Sequence, residues 1–247
     1  MKILIENKLY TCGDIHGDTN ELTWDIIKRD LKDCTIILLG DVGIFRYRDY
    51  KHYKYLDLTC SERNITVYAL RGNHDNPGFF NDLTNPIIKR FWEKFTNFKP
   101  LKDLTILLTS DHNKILTLPG AVSRDRCTRK NWKRTYVHEY DYYRGGDWWP
   151  KEVIPQLPED LGEFDAILSH NGPIPCRGII TIHDSFKAQD EAVESDIAQE
   201  QKYLHDIQVK LKPKVWWFGH YHNKYEYESN DTKYRILAIS ELTEFNV

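Results

Sequence analysis

Five short β-rich runs in this chain each give way to a glycine-containing or turn-prone segment that carries Asp, Asn or His. The segments are Asp14-Ile15-His16-Gly17-Asp18, Gly40-Asp41, Gly72-Asn73-His74-Asp75, Ser169-His170-Asn171-Gly172 and Gly219-His220-Tyr221-His222. In the first half, the runs Lys8 to Cys12, Thr35 to Leu39 and Ile65 to Leu70 alternate with helical stretches. One helix is predicted over Glu21 to Leu31, with Leu22, Ile26, Ile27 and Leu31 on one side, and another over Tyr50 to Ser61. Strands alternating with helices require right-handed crossovers and a largely parallel sheet. Sites in such sheets lie at the strand carboxyl ends, so the five segments are predicted to meet on one edge.

The rest of the chain adds a helical turn after Pro77 and a hairpin over Leu104 to Leu118, turning at Asp111-His112-Asn113. Residues 123–158 are rich in Arg, Tyr, Trp, Gly and Pro without a period, which predicts a long excursion over the surface. Asp165 to Ser169 and Val215 to Phe218 read as strands, and Gln189 to Leu211 as the longest helix. Tyr225 to Glu228 and Ile236 to Ile239 are placed to finish a second sheet. With no repeat or linker, residues 1–247 are expected to form a single α/β domain.

The longest aliphatic runs, Ile36 to Leu39 and Ile106 to Leu108, fall far short of the ~20 apolar residues of a membrane span. The apolar stretch at the N-terminus is too short for a signal peptide, so a cytoplasmic protein with no membrane partner is expected. A net charge of -3 supplies no field for a polyanion, leaving nucleic acid without support as a partner. The five cysteines, at 12, 34, 60, 127 and 176, form no C-x-x-C pair and read as reduced, mostly buried thiols.

Half of the ten histidines fall in the five segments. Singly, a histidine at a strand end is most often a hydrogen-bonded structural residue, and Asp or Asn after Gly is turn chemistry. Five coincidences in order outweigh that explanation. Asp14, His16, Asp41, Asn73, His170, His220 and His222 make seven candidate ligands, more than the four of one tetrahedral ion. Imidazole, carboxylate and amide without thiolate suit Mn, Fe, Zn or Ni. Two ions sharing one carboxylate, ~3.5–4 Å apart, are the recurrent apparatus of phosphoryl displacement, so a binuclear hydrolase is predicted. In Gly219-His220-Tyr221-His222 the histidines alternate by two, and in an extended segment their rings would share a face. Asp18 and Asp75 either cap the helices that follow them or support the ligands from behind.

These motifs, in this order and over nearly the whole chain, resemble the calcineurin-like metallophosphoesterase superfamily. The resemblance implies two packed mixed β-sheets flanked by helices, an α-β-β-α sandwich. It implies two divalent ions per chain, Mn first among Mn, Fe, Zn, Ni and Mg. Asp14, His16 and His222 would hold the first metal, Asp41 would bridge, and Asn73, His170 and His220 would complete the second site. His74, not a ligand in the family, would be the catalytic residue, stabilising the equatorial oxygens or protonating the leaving alkoxide. Arg71 could offer its guanidinium fork to a phosphate oxygen.

The first and third motifs also look like the serine/threonine protein phosphatases, whose second motif continues Gly-Asp-x-Val-Asp-Arg-Gly. Here it reads Gly40-Asp41-Val42-Gly43-Ile44-Phe45-Arg46, so the Asp that orients the catalytic histidine there is replaced by Ile44. Asp75 or Asp18 would have to support His74 instead, and a protein phosphatase is not expected. The expected substrate is a phosphomonoester, a nucleotide or another phosphorylated small molecule. The alternative is a phosphodiesterase on a cyclic nucleotide, a dinucleotide or single-stranded nucleic acid. The basic, aromatic excursion bears on that choice through Arg126 and Trp132. A non-catalytic scaffold is disfavoured because every candidate ligand and His74 are present.

Overall fold

A computed structural model of the chain describes residues 1–44, 50–126, 154–173 and 191–247. Phe45, Arg46, Trp132 and most of the 123–158 excursion lie outside the described residues.

The first half runs β1 (Lys2–Ile5), β2 (Lys8–Cys12), α1 (Asn20–Lys28), β3 (Cys34–Leu39), α2 (Lys51–Glu62) and β4 (Ile65–Leu70). It continues through α3 (Pro77–Asn81), α4 (Pro86–Trp92), β5 (Phe98–Pro100), β6 (Ile106–Thr109) and β7 (Lys114–Leu118). After the excursion come β8 (Ala166–Ser169), α5 (Glu191–Leu211), β9 (Val215–Phe218), β10 (Tyr225–Ser229), β11 (Thr232–Ile236) and β12 (Leu242–Glu244).

Strand β3 shows why the chain folds in layers. All six of its residues are buried, with Ile36 and Leu38 packed into one core and Ile37 and Leu39 into another. A strand covered on both faces reads as a continuous apolar run. On one side Ile36, Leu38, Val67 and Ala69 meet Leu22 and Ile26 of α1, Leu56 of α2 and Phe91 of α4. On the other, Ile37, Leu39 and Leu70 meet Leu107, Ile115, Leu168 and Trp217 of a second sheet. That sheet's outer face, through Leu116, Ile167, Trp216 and Phe218, is covered by Leu204, Ile207 and Leu211, a three- and four-residue spacing along α5. The predicted α-β-β-α sandwich is therefore what forms.

Among the described residues the sheets have five strands in the order β12-β2-β3-β4-β5 and seven in the order β1-β6-β7-β8-β9-β11-β10. The five segments do not share one sheet edge as predicted. β2, β3 and β4 belong to the smaller sheet, β8 and β9 to the larger, and the site lies where the two sheets end together. The predicted strand at 236–239 is displaced to Thr232–Ile236. Asn230 and Asp231 both take left-handed φ, 51° and 61°, and close a tight hairpin from β10 earlier than expected. Helix α1 stops at Lys28, three residues short of its prediction, where Asp30 turns to φ 47°. β1, β5, α4 and β12, of three to seven residues, are too short to show a period and went unpredicted.

Cys12, Cys34 and Cys60 are free and buried. Burial pushes the Cys34 thiol up to about 11 and Cys60 up to about 12, leaving both inert. Among the described residues no helix is long and apolar enough to cross a membrane.

Candidate metal centre

The seven candidate ligands gather at the shared end of the sheets in two groups, Asp14 with His16 and His222, and Asp41 with His170 and His220 beside Asn73. Each group takes residues from both sheets.

Sharp turns make this possible. His16, Asp41, His220 and His222 all have left-handed backbones, with φ of 45°, 42°, 68° and 58°. Such conformations cost ~1–3 kcal/mol each and persist where surrounding bonds over-determine them. Here the His16 amide donates to the Asp41 carbonyl at 2.8 Å, and the His220 amide to Asp14 Oδ1 at 3.0 Å. The His74 amide donates to Asp41 Oδ1 at 2.9 Å. His220 and His222 thus lie on a turn, not on the extended segment predicted, and the turn sends one ring to each group. Gly72 lies against Asp41 so closely that a Cβ there would strike its carboxylate and its backbone nitrogen, so the glycine serves contact between motifs as well as turning.

In the first group His16 Nε2 lies 3.0 Å from His222 Nε2, which is 3.1 Å from Asp14 Oδ2. In the second, His170 Nε2 lies 2.8 Å from Asn73 Oδ1 and 3.3 Å from Asp41 Oδ1. Two donors each ~2.1 Å from one ion and at right angles are ~3 Å apart, so these spacings fit cation sites. The donor chemistry fits as well. His170 Nδ1 donates to the Leu39 carbonyl at 2.8 Å, so whatever sits on Nε2, facing two oxygens, must be positive, a proton or a cation.

The electrostatics agree. Burial works to lower the His170 pKa, but Asp41 and Asp14 outweigh it and raise it to about 10. Burial works to raise Asp41, and His170, His74 and His16 overcome it, holding the carboxylate well below its usual range. His16 and His220 are lowered, chiefly by burial, and so offer neutral rings.

His74 stands at the rim, its side chain 22% exposed and its Nε2 3.9 Å from Asp41 Oδ2. Asp75 is not the cap of α3, whose N-cap is Asn76. Its carboxylate accepts the amides of Val42 at 2.9 Å, Gly43 at 2.8 Å and Gly72 at 2.8 Å, clamping the second motif to the third. Burial and the nearby Asp41 charge raise its pKa to about 6 despite those bonds. Asp75→Ala is expected to lower stability by about 2–4 kcal/mol, since three buried amides lose a charged acceptor, and denaturant unfolding would read it. A loss within ~0.5 kcal/mol would mean the clamp is dispensable.

Three predicted residues go elsewhere. Asp18 is exposed and accepts the Asn20 amide at 2.9 Å, capping the start of α1 without reaching the ligands. Arg71 is 1% exposed, and its Nε and Nη2 form a bidentate pair with Asp103 at 2.8 and 2.7 Å, so that edge of the fork holds protein and not phosphate. Arg126 is likewise buried, pairing with Asp196 of α5 at 2.7 Å. Two residues that the sequence left unmarked enter instead. Ser123 Oγ accepts the Asn73 amide at 2.8 Å, and Asn171 Oδ1 accepts the Tyr221 hydroxyl at 2.7 Å, tying the fourth motif to the fifth. The adjacency of Asn171 to His170 was the only available signal.

The chain belongs to the calcineurin-like phosphoesterase family, whose model matches residues 8–224. It is a metal-dependent phosphoester hydrolase, and the two groups of donors are where its divalent ions could be held. No curated protein matches it in sequence. Among solved structures it is similar to phosphopantetheinyl hydrolase from Mycobacterium tuberculosis, at 13% identity over 95% of this chain and 90% of that one, TM-score 0.45. TT1561 of Thermus thermophilus shares 11% identity over 97% and 94%, TM-score 0.46. GAP50, the anchor in the inner membrane complex of Plasmodium, shares 14% over 95% and 72%, TM-score 0.46.

Adding Mn2+ at ~100 times its dissociation constant is expected to stabilise the fold by about 2.7 kcal/mol per ion. For a chain of this size that is a rise of about 5–10 °C in Tm, reversed by chelator. An unmoved Tm would mean that these donors hold no ion in the folded state.

Proposed function

We propose that residues 1–247 form one catalytic unit, a phosphomonoesterase that hydrolyses a nucleotide or another small phosphorylated molecule in the cytosol with two divalent cations, Mn2+ first among them. The observation that supports it is the division of the donors into two neighbouring groups, Asp14 with His16 and His222 and Asp41 with His170 and His220, with the Asp41 charge acting on His16 as well as on His170. Asp14, His16 and His222 would hold one cation, Asn73, His170 and His220 the other, with Asp41 shared. When bound, the cations supply Lewis-acid polarisation of the phosphoryl group and a water acidic enough to serve as nucleophile.

The chain's own residues do the remainder. The left-handed turns hold the donors before substrate arrives, so little reorganisation is left for the reaction itself. His74, partly exposed beside Asp41, would carry a proton on Nε2 to the departing oxygen as the P–O bond breaks and the bond from water to phosphorus forms. Asp75 keeps His74 and Asp41 in register by clamping the backbone that bears them.

The test is hydrolysis of p-nitrophenyl phosphate, bis-p-nitrophenyl phosphate and a panel of nucleoside monophosphates by protein stripped of metal and reloaded with Mn2+. Turnover of monoesters, lost on chelation, is expected. Turnover of the diester alone would replace this proposal with a phosphodiesterase, and turnover of none by protein carrying two ions would overturn it.

A further inference from the structure

The helix layer over the smaller sheet carries the most exposed large apolar side chain among the described residues, Trp24 of α1, at 65%. Ile27 on α1 is also exposed, as are Tyr55 and Leu58 on α2, at 56% and 59%. The two helices pack side by side, with Leu22, Ile26 and Leu56 turned into the core beneath them. Their outer face therefore presents four large apolar side chains. Single ones are ordinary on a protein surface, whereas a group of them marks a contact surface.

The charges around this group are ordered. On α1, Glu21, Trp24 and Lys28 stand at i, i+3 and i+7, one stripe with an acid at its start, the indole in its middle and a base at its end. On α2, Lys54, Leu58 and Glu62 stand four apart with the signs reversed. All four charged side chains are exposed, and among the described residues none of them takes part in an ion pair. The helix dipole accounts for the order of charge on α1 but opposes the order on α2.

We infer that this face docks a second copy of the chain about a two-fold axis running across α1 at Trp24. A half-turn there lays each helix antiparallel on its counterpart. Glu21 then meets Lys28 of the second copy, and Lys54 turns toward the end of α2 that carries Glu62 in the second copy. Every contact of this kind is made twice, with Trp24 beside the axis. The surface fits itself because a stripe with one sign at each end becomes its own complement when reversed. A partner of one charge would meet like charge at one end of each stripe. Four apolar side chains are fewer than the roughly 20–30 residues a side of a stable interface, so a dimer in the micromolar range is expected.

The experiment is sedimentation equilibrium of the whole chain over a concentration series. It compares the parent with Trp24→Ala, Glu21→Lys, Lys28→Glu, an equimolar mixture of the last two, and Val209→Ala as an exposed apolar control on α5. The parent is expected to dimerise with a dissociation constant on the order of 10 µM. Trp24→Ala is expected to weaken the dimer at least about tenfold, as loss of a central tryptophan does, with Val209→Ala unchanged. Glu21→Lys and Lys28→Glu each set like charges together at both symmetric contacts, and each alone is expected to weaken the dimer about tenfold. Mixed, the two should bind one another about as tightly as the parent binds itself, because every α1 contact between them is again acid against base. A chain still monomeric at ~200 µM would overturn the inference and leave the face to another partner. So would a dimer that Trp24→Ala leaves intact, or charge variants that do not recover in the mixture. Should Trp24→Ala fail to fold, the charge variants and their mixture, altered only at exposed positions, decide the outcome.

Discussion

Asp41→Asn is expected to reduce phosphomonoester turnover by on the order of 10³-fold and to lower the Mn2+ content below two per chain. Asp41 belongs to one group of donors, and the proposal has it shared with the other. It lies 3.3 Å from His170 Nε2, and its charge also acts on His16 and His74. An amide in its place keeps an oxygen for the His74 backbone N–H, so the turn has reason to survive. What is lost is the negative charge that, on the proposal, would offset two cations. Elemental analysis, turnover and thermal unfolding should be measured on one preparation. The fold is expected to stay within a few degrees of the parent before metal is added, because the substitution also relieves the like charge at Asp75. Two ions and full turnover in the variant would remove Asp41 from its shared position.

The second large effect separates holding metal from using it. His74→Ala is expected to lower kcat about 10²–10⁴-fold, the range for loss of a general acid, while both Mn2+ affinities stay at the parent value. Its backbone amide, which supports Asp41, survives the change, and its ring belongs to neither group of donors. The loss should grow with the basicity of the leaving group, since a poor leaving group needs the proton most. Phenyl phosphate should therefore suffer more than p-nitrophenyl phosphate. Equal kcat for parent and variant on phenyl phosphate would dismiss His74 as the acid, and lost Mn2+ would show it acting on the metal instead.

The candidate ligands stand out in the sequence because their signal is local. A strand ends, a glycine turns, and a hard or borderline donor follows at Asp14, Asp41, Asn73 and His220, while at His170 the donor follows the strand directly and the glycine comes two residues later. The strand β3, the hairpin β6–β7 and the long α5 were legible for the same reason, each carrying its own period or turn within a few residues. Other partners are invisible for want of an address. Arg71 precedes a ligand motif and looks aimed at substrate, but Asp103 lies 32 positions on and satisfies it first. Arg126 is claimed in the same way by Asp196, 70 positions on. Ser123 carries no motif, and only the fold brings its hydroxyl to the Asn73 amide.

Short stretches of sequence were enough to decide which side chains could bind divalent cations, the layered α/β class and the family, because donor chemistry and hydrophobic period are local properties. Three-dimensional packing was needed to decide that the five strand ends come from two sheets, that each group of donors spans both, and which donor neighbours which. Those facts depend on the left-handed turns at His16, Asp41, His220 and His222 and on the packing of β3 between two cores. At His16, Asp41 and His220 bonds between distant segments hold the strained backbone, and no stretch of sequence contains both the strained residue and those bonds.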